Sequence, residues 1–246
     1  MLIAHVLGDF YFQSDKMVKN KKIIKHGIVY TVVAFAVLSV FVGFSQKMFL
    51  VLGILSLSHI AVDIVKFFVT HRIKEDKYQK EIFWADQILH LASVFGAWYL
   101  FGQKLILHAV FTKNYSFFMQ VIQKEQKEVI YLSPILMIFA IILILKPVDI
   151  IIEKGYIWDL SKKVTDENTV NKRKLNPGQV IGYLERLIIF VFIILQQYTA
   201  IAFVLTAKSL ARYDAITKDK ITADYYLIGT LLSIISVFIV TFFLAR

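Results

Sequence analysis

The sequence predicts an all-α fold, a polytopic transmembrane helical bundle. Of its 246 residues, 58% are hydrophobic and only 19% are charged, which is typical of a chain that exposes apolar side chains to lipid. Several apolar runs reach the length of about 20 residues that an α-helix needs to cross a bilayer. We therefore expect about six or seven membrane segments with a short interfacial or re-entrant helix.

Six apolar runs have the length and composition of a membrane span. The first two are joined by so short a connection that they must form an antiparallel hairpin. The fifth begins after Asn176-Pro177-Gly178, where Asn as the N-cap and Pro at the first helical position mark the start of a helix. The six runs are 27–45, 48–70, 82–103, 130–152, 179–206 and 225–244.

Two other segments and one polar stretch complete the organisation. Residues 2–15 are apolar but short for a span. Residues 104–122 mix Lys and His with aromatic side chains, which predicts the interfacial or re-entrant helix. The polar stretch 153–178 is a predicted linker between an N-terminal membrane half at 1–152 and a C-terminal helical pair at 179–246.

The net charge of +10 lies mostly in the connections. The basic segments 16–26, 71–80 and 162–174 fall on one side in this helix count, and the positive-inside rule makes that side cytoplasmic. The connection 207–221 is also basic and falls on the other side. We expect a multi-pass protein of the bacterial inner membrane whose basic residues contact anionic lipid headgroups. Because no base-reading motif accompanies the charge, no nucleic-acid partner is expected.

Three segments carry a histidine and an aspartate four residues apart. At this spacing both side chains lie on one face of a helix, about 6 Å apart at their Cβ atoms. The order is reversed in the third pair, whose helix runs in the opposite direction in the predicted topology. The aspartates are therefore expected at one depth and the histidines about one turn deeper, so that the pairs converge. The pairs are His5/Asp9, His59/Asp63 and Asp86/His90.

Imidazole and carboxylate groups together are suitable ligands for Zn, Mn, Fe or Ni. Ionisable groups within membrane spans are costly and usually functional. The chain has no cysteine, which argues against a closed structural zinc site. We predict that the three pairs bind one or two divalent metal ions, and that Asp9, Asp63 and Asp86 also serve catalysis. The alternatives are a local hydrogen bond within each pair and a polar cluster that conducts protons or ions.

Four further residues are candidates for the same site. Gln13, Lys66 and Gln87 are placed to supply hydrogen bonds to the ligands or to contact a substrate. Lys66 is equally suited to reach the lipid headgroups. His26, at the cytoplasmic start of the next helix, is either an additional metal ligand or a solvated histidine.

A second polar set lies in the C-terminal half. Lys208, Ser209 and Arg212 share one helical face and are candidates to bind a phosphate, or else to anchor the helix at the headgroups. Glu185 and Arg186 are neighbours near the start of a predicted span. We interpret these two as an interfacial ion pair.

The stretches AHVLGDFYFQ, SHIAVDIVK and DQILH, with the C-terminal run from GYLERLIIF to ADYYLIGTLLS, resemble the bacterial integral-membrane proteins grouped as domain of unknown function 3307. This resemblance touches both halves of the chain and implies an integral-membrane protein, without supplying a mechanism. The His/Asp pairs are also similar in pattern to those of membrane-bound metal-dependent hydrolases. A shared pattern of this kind does not by itself establish function.

The sequence contains no P-loop, no G-x-S-x-G and no H-E-x-x-H motif, which argues against a soluble nucleotide-dependent enzyme. The pattern favours an intramembrane metal-dependent hydrolase of a phosphate ester or a lipid-linked substrate, open to the cytoplasmic leaflet. Two other classes stay open. One is a transporter or channel for a metal ion or a proton, and the other is a non-catalytic membrane effector or scaffold that binds a soluble partner.

Overall fold

The computed structural model describes residues 1–13, 23–73, 78–102, 105, 134–156, 177–211, 213 and 220–244. Within these residues the secondary structure is helical, and it includes no strand. The chain divides into two compact units, Met1–Met119 and Gln120–Arg246. Each unit has its own buried apolar cluster.

The described part of the N-terminal unit consists of four helices. Helix α1 is an α-helix over Leu2–Val6 that continues as a π-helix over Leu7–Tyr11. Helix α3 packs between α2 and α4, and α1 lies against both α2 and α4. The remaining bounds are α2 (Ile23–Phe41), α3 (Gln46–Arg72) and α4 (Gln79–Phe101).

Helices α2 and α3 are joined by the short connection 42–45, as the sequence predicts. The side-chain oxygen of Ser45 accepts a hydrogen bond from the amide of Met48 at 3.2 Å. This N-cap satisfies one of the backbone N–H groups that the first turn of α3 leaves free. The predicted hairpin is therefore confirmed.

In the C-terminal unit, α5 is interrupted and is followed by three helices. Helix α8 packs against both α5 and α6, around buried Ile144, Ile189 and Val237. Helix α6 begins at Pro177, as predicted. The helices are α5 (Pro134–Ile144, Lys146–Ile150 and a π-helical Ile151–Tyr156), α6 (Pro177–Ile194), α7 (Tyr198–Ala211) and α8 (Lys220–Leu244).

Four helices of the described residues are long and apolar enough to cross a membrane, which supports the prediction of a helical membrane protein. Helix α4 has 23 residues, but Lys80, Glu81 and Asp86 make its first two turns polar. The higher count of six or seven segments is not confirmed. The four helices are Ile23–Phe41, Gln46–Arg72, Ile135–Tyr156 and Tyr226–Leu244.

The prediction of one continuous helix over 179–206 is wrong, because the chain breaks between α6 and α7. Gln196 has a φ of 56°, in the left-handed region. The Gln197 amide donates to the Phe192 carbonyl at 2.8 Å, and the Gln196 amide donates to the Ile193 carbonyl at 3.0 Å. These are the two hydrogen bonds of a Schellman motif, which ends a helix.

The division of the chain also differs from the predicted N-terminal half at 1–152. Helix α5 belongs to the C-terminal unit, because Arg186 of α6 contacts Leu145 and Asp149 of α5. Helix α5 also extends to Tyr156, into the predicted linker. Apart from Leu105, the predicted helix at 104–122 lies outside the described residues, as does the linker from 157 to 176.

Candidate metal centre in the N-terminal unit

His5 and Asp9 lie on α1, where the α-helix widens into a π-helix. π-Helical turns are rare and are frequent at functional sites. His5 Nδ1 lies 3.5 Å from Asp9 Oδ2, and the two side chains are only 2% and 8% exposed. The first predicted pair therefore points into the interior of the unit.

Four donor atoms from three helices converge in this interior, and we call them the central set. The Nε2 atoms of His26 and His59 lie 3.1 Å apart. Asp9 Oδ1 lies 3.3 Å from the Nε2 of His59 and 3.5 Å from the Nε2 of His26. Asp63 Oδ2 lies 3.6 Å from each of the same two nitrogens.

Five of the six separations within the central set are close to those of ligands around a tetrahedral metal ion. Ligand atoms bound at about 2.0–2.1 Å in tetrahedral geometry lie about 3.3 Å from one another. Five separations within the central set run from 3.1 to 3.6 Å. A cation among these atoms would therefore require only small movements of the side chains.

Buried polar atoms normally have a hydrogen-bond partner, since leaving one without a partner costs about 1–3 kcal/mol. In the described part of the N-terminal unit, seven buried imidazole and carboxylate atoms have none. Two of these atoms, Asp9 Oδ1 and Asp63 Oδ2, belong to the central set, where a bound cation would compensate both. The seven atoms are His5 Nδ1, Asp9 Oδ1, His26 Nδ1, His59 Nδ1, Asp63 Oδ2, Asp86 Oδ1 and His90 Nε2.

The third predicted pair, Asp86 and His90, lies on α4 beside the central set. His90 Nδ1 lies 2.9 Å from the Asp86 carbonyl oxygen, which can only accept, so this nitrogen carries the hydrogen. In the neutral ring Nε2 then presents a lone pair, 3.8 Å from Asp63 Oδ1. Fixing a histidine tautomer through its other nitrogen is the usual preparation of a metal ligand.

Lys66 and Gln87 both hold the Asp86 carboxylate. Lys66 Nζ donates to Asp86 Oδ2 at 2.7 Å, and Gln87 Nε2 donates to the same oxygen at 3.2 Å. The structure therefore places these two predicted residues at the cluster. Gln13, which follows the end of α1, makes no hydrogen bond to the residues of the cluster.

The ionised groups of the cluster do not balance. Asp9, Asp63 and Asp86 have side chains that are 8%, 11% and 4% exposed, and Lys66 is bonded only to the last of them. Three carboxylates against one ammonium leave two negative charges when the histidines are neutral. Buried charge must be paired or neutralised, and one divalent cation would supply the missing charge.

The histidine rings of the three predicted pairs are direct neighbours. The centroid of the His90 ring lies 4.4 Å from that of His59 and 5.3 Å from that of His5. Tyr30 of α2 stacks on His59 at 3.7 Å and is only 1% exposed. His26, predicted to be either an additional ligand or a solvated histidine, is buried, and its Nε2 lies near both Asp9 and Asp63.

Two glycines allow the helices that carry the cluster to approach closely. A Cβ atom on Gly8 of α1 would lie 2.6 Å from Tyr30 Cδ2, and one on Gly27 of α2 would lie 2.7 Å from Ile60 Cγ1. Small residues permit such close packing between membrane helices. The contacts fix α1 and α3 against α2, and thus His26 against its neighbours.

The polar residues of the C-terminal unit form ion pairs with other helices. The predicted pair of Glu185 with Arg186 is wrong, because Arg186 lies 3.4 Å from Asp149 and Glu185 lies 2.5 Å from Lys208. Lys208 also donates to Thr230 at 3.1 Å. The predicted phosphate-binding site assumed a free Lys208 ammonium, whereas this ammonium is bonded to Glu185 and Thr230.

Of the other two members of that group, only Ser209 lies within the described residues. The Ser209 hydroxyl donates to the Leu205 carbonyl of its own helix at 2.9 Å, and the residue is exposed. Arg212 lies outside the described residues. Phosphate binding by Lys208, Ser209 and Arg212 stays a prediction.

Residues 1–119 match the family model described as protein of unknown function (DUF3307). No curated protein and no solved structure matches the chain. The match contains all three His/Asp pairs and His26, whereas the C-terminal run that also carries the resemblance lies outside it. The part of the chain that matches the DUF3307 family model is therefore the part that holds the candidate metal centre.

Proposed function

We propose that the N-terminal unit is a membrane-embedded divalent-metal centre. The central set supports this most directly, because five separations among its four nitrogen and oxygen donors, from three helices, are close to those of tetrahedral ligands. Neutral histidines and two carboxylates suit Zn, Mn, Fe or Ni. The ligands are His26, His59, Asp9 and Asp63.

A second ion has a less complete set of ligands. One donor atom each from Asp63, Asp86 and His90 lie within 4.8 Å of one another, and the same holds for His5, Asp9 and His59. Asp63 belongs to both the central set and the first of these groups. The centre therefore binds one ion in the central set, and its neighbours offer room for a second.

We further propose that the centre hydrolyses a phosphate ester or a lipid-linked substrate. A divalent ion polarises the oxygen of such a substrate and lowers the pKa of bound water to about 7. In the reaction, water forms a new bond to phosphorus or to an acyl carbon, and the ester bond to the leaving oxygen breaks. The proton lost by the water passes to that leaving oxygen.

Asp86 is the residue best suited to carry this proton. It is not in the central set, and its Oδ1 has no hydrogen-bond partner, whereas its Oδ2 is held by Lys66 and Gln87. A general base must be held in position while one of its lone pairs stays available. Asp9 and Asp63 instead serve the reaction by binding the metal.

The packing of the same helices favours a one-sided centre over a transport pathway. Beyond the histidines, α2, α3 and α4 meet through a closely packed apolar layer that includes Leu38, Val51 and Val94. These side chains are 3%, 0% and 4% exposed. A transporter or channel requires a polar path to its site from both sides of the membrane. In the described part of the unit, this apolar layer provides no polar path to the histidines from the side on which it lies.

We assign the protein to the bacterial inner membrane as a multi-pass protein. Helix α4 would be a further membrane helix, since it packs along the spanning helix α3. The interrupted pair α6 and α7 would account for another. The basic connections then contact anionic headgroups on the cytoplasmic side.

Elemental analysis of the purified full-length protein tests the proposal. We expect about one Zn, Mn, Fe or Ni per chain, and we expect the double variant His59→Ala/Asp63→Ala to lose it. His71→Ala is the matched control, because His71 lies on the same helix but is exposed and outside the cluster. Equal metal content in wild type and in the double variant would exclude the metal centre.

A further inference from the structure

A cleft between α3 and α4 leads to the candidate metal centre. Its volume is about 250 Å³, and its walls are mostly aliphatic. The helical periodicity places one row of side chains from each helix along it. The aliphatic lining residues include Val62, Val65 and Val69 of α3 and Ile82, Ala85 and Leu89 of α4.

The cleft opens on the outer surface of the two helices. Val65, Val69 and Leu89 are 52%, 38% and 47% exposed, so the aliphatic walls are not covered by the described residues. Helix α3 is one of the candidate membrane spans. A cleft in its side therefore faces the acyl chains of the bilayer.

Three charged groups line the cleft, the Lys66 ammonium and the Glu81 and Asp86 carboxylates, and Asp86 joins it to the cluster. Lys66 and Asp86 both line the cleft and are bonded to each other at 2.7 Å. Asp86 in turn lies 3.4 Å from His90, whose other nitrogen faces Asp63. Along this path, Asp86 and His90 lie between a ligand group held at Lys66 and the metal ligand Asp63.

The charge at this end of the cleft suits an anion once the metal is bound. An ammonium group has three N–H donors, and Asp86 uses one of those of Lys66. The Lys66 side chain is 38% exposed, so its other donors are accessible. A divalent cation in the central set and Lys66 together balance Asp9, Asp63 and Asp86, so these three carboxylates no longer repel an anionic headgroup at Lys66.

We propose that the cleft binds the substrate of the centre, a lipid with a phosphate headgroup. The phosphate contacts Lys66, and the start of one hydrocarbon chain lies between α3 and α4. The volume is below the range of about 300–1,000 Å³ of complete small-molecule sites, so the rest of the lipid stays in the bilayer. This inference rests on the proposed metal centre, which supplies the balancing charge.

A titration with fluorescently labelled phosphatidic acid tests the proposal on metal-loaded, full-length protein in detergent. We expect Lys66→Met to weaken binding by about tenfold or more, since a charge-assisted contact is lost, and Lys66→Arg to retain most of it. Ala85→Phe, which fills the cleft and leaves every polar group in place, should weaken binding similarly. Matched controls are Lys47→Met and Leu57→Phe, on exposed positions of α3 away from the cleft.

The lipid headgroup is varied in the same assay. Labelled diacylglycerol and labelled fatty acid should bind more weakly than phosphatidic acid, and free inorganic phosphate should not compete at the same concentrations. Equal binding by wild type, Lys66→Met and Ala85→Phe would overturn the cleft assignment. Preference for the fatty acid would overturn the assignment of phosphate.

Metal content is measured on every sample, so the two proposals fail separately. Metal-bound Ala85→Phe that takes up phosphatidic acid like wild type would exclude the cleft and leave the metal centre intact. Wild-type protein without metal would exclude the metal centre, whatever the lipid titration shows. Chelation that leaves phosphatidic acid affinity unchanged would contradict the link between the two sites.

Discussion

The two units of the molecule treat buried polar groups in opposite ways. In the C-terminal unit Arg186 meets Asp149, and Lys208 meets Glu185, so each charge has a partner of opposite sign. In the N-terminal unit carboxylates and imidazoles face one another, and many of their atoms have no hydrogen-bond partner. Both arrangements are costly to bury, but in the second the three carboxylates outnumber the one ammonium, that of Lys66.

The difference separates a structural role from a ligand-binding role. Paired charges on facing helices are complete without a ligand and can hold α5, α6, α7 and α8 together. Converging carboxylates and imidazoles would be compensated if a cation bound between them, as we propose for the N-terminal unit. Burial alone therefore does not identify a site, whereas burial without compensation does.

The largest expected effect is on metal binding in the N-terminal unit. His26→Ala should lower metal affinity by more than about 100-fold, because loss of a direct ligand exceeds the 10–100-fold typical of residues that only orient a ligand. Competition with a metal chelator measures the affinity. The control is His71→Ala, which removes an exposed histidine from α3.

This variant also distinguishes the central set from the three pairs alone. If His26 were only a solvated histidine at a helix start, its removal would leave affinity within about twofold of wild type, since it would contact no ligand. That result would shift the centre to Asp63, Asp86 and His90. Loss of metal in Arg186→Met would instead contradict the separation of the two units.

The three pairs could be predicted because they depend on local spacing. A helix places residues i and i+4 on one face, so His5/Asp9, His59/Asp63 and Asp86/His90 are visible in the sequence, and the structure brings all three together. The central position of His26 could not be predicted in this way. It depends on how closely α2 approaches α1 and α3, which the contacts at Gly8 and Gly27 determine.

The errors in the C-terminal unit also have physical reasons. Glu185 and Arg186 are adjacent, and adjacent residues on a helix point in different directions, so each pairs with a different helix. This signal was present in the sequence. The sequence contained no comparable signal for the helix break at Gln196, because the left-handed residue at a helix end is usually Gly, and here it is Gln.

The second prediction concerns the paired charges of the C-terminal unit. Arg186→Met should lower the free energy of unfolding by about 1.5–3 kcal/mol, because it removes the ion pair with the partly buried Asp149, which keeps the hydrogen bond from Gln179. Thermal unfolding in detergent measures the change, and metal content should not alter. The double variant Arg186→Met/Asp149→Leu should recover most of the loss, and equal losses in the single and double variants would contradict a buried ion pair.

The third prediction is a stabilising substitution in the N-terminal unit. With metal removed by a chelator, Asp63→Asn should raise the apparent melting temperature by about 2–4 °C, the shift expected for about 1 kcal/mol in a chain of this size. The reason is that one of three mutually repelling carboxylates is lost. With metal present the same variant should be less stable than wild type, because a ligand is lost. A decrease in both conditions would indicate that Asp63 is compensated within the protein.

The smallest expected effect comes from a change that touches no ligand. Gly8→Ala would place a Cβ atom 2.6 Å from Tyr30 Cδ2, and Tyr30 stacks on His59. Because Tyr30 is buried, its ring can yield only by pressing on that histidine. Metal coordination tolerates errors of only about 0.2 Å in ligand distance, so affinity should fall by about tenfold, the lower end for residues that orient a ligand.

The matched control for this last change is Gly53→Ala on α3, where an added Cβ atom meets nothing within 4 Å. It makes the same substitution in a helix of the same unit and should leave affinity and stability near wild type. Chelator competition on both variants gives the comparison. Equal affinities would show that the Tyr30 ring does not position His59, and the compact packing of α1 on α2 would then serve the fold alone.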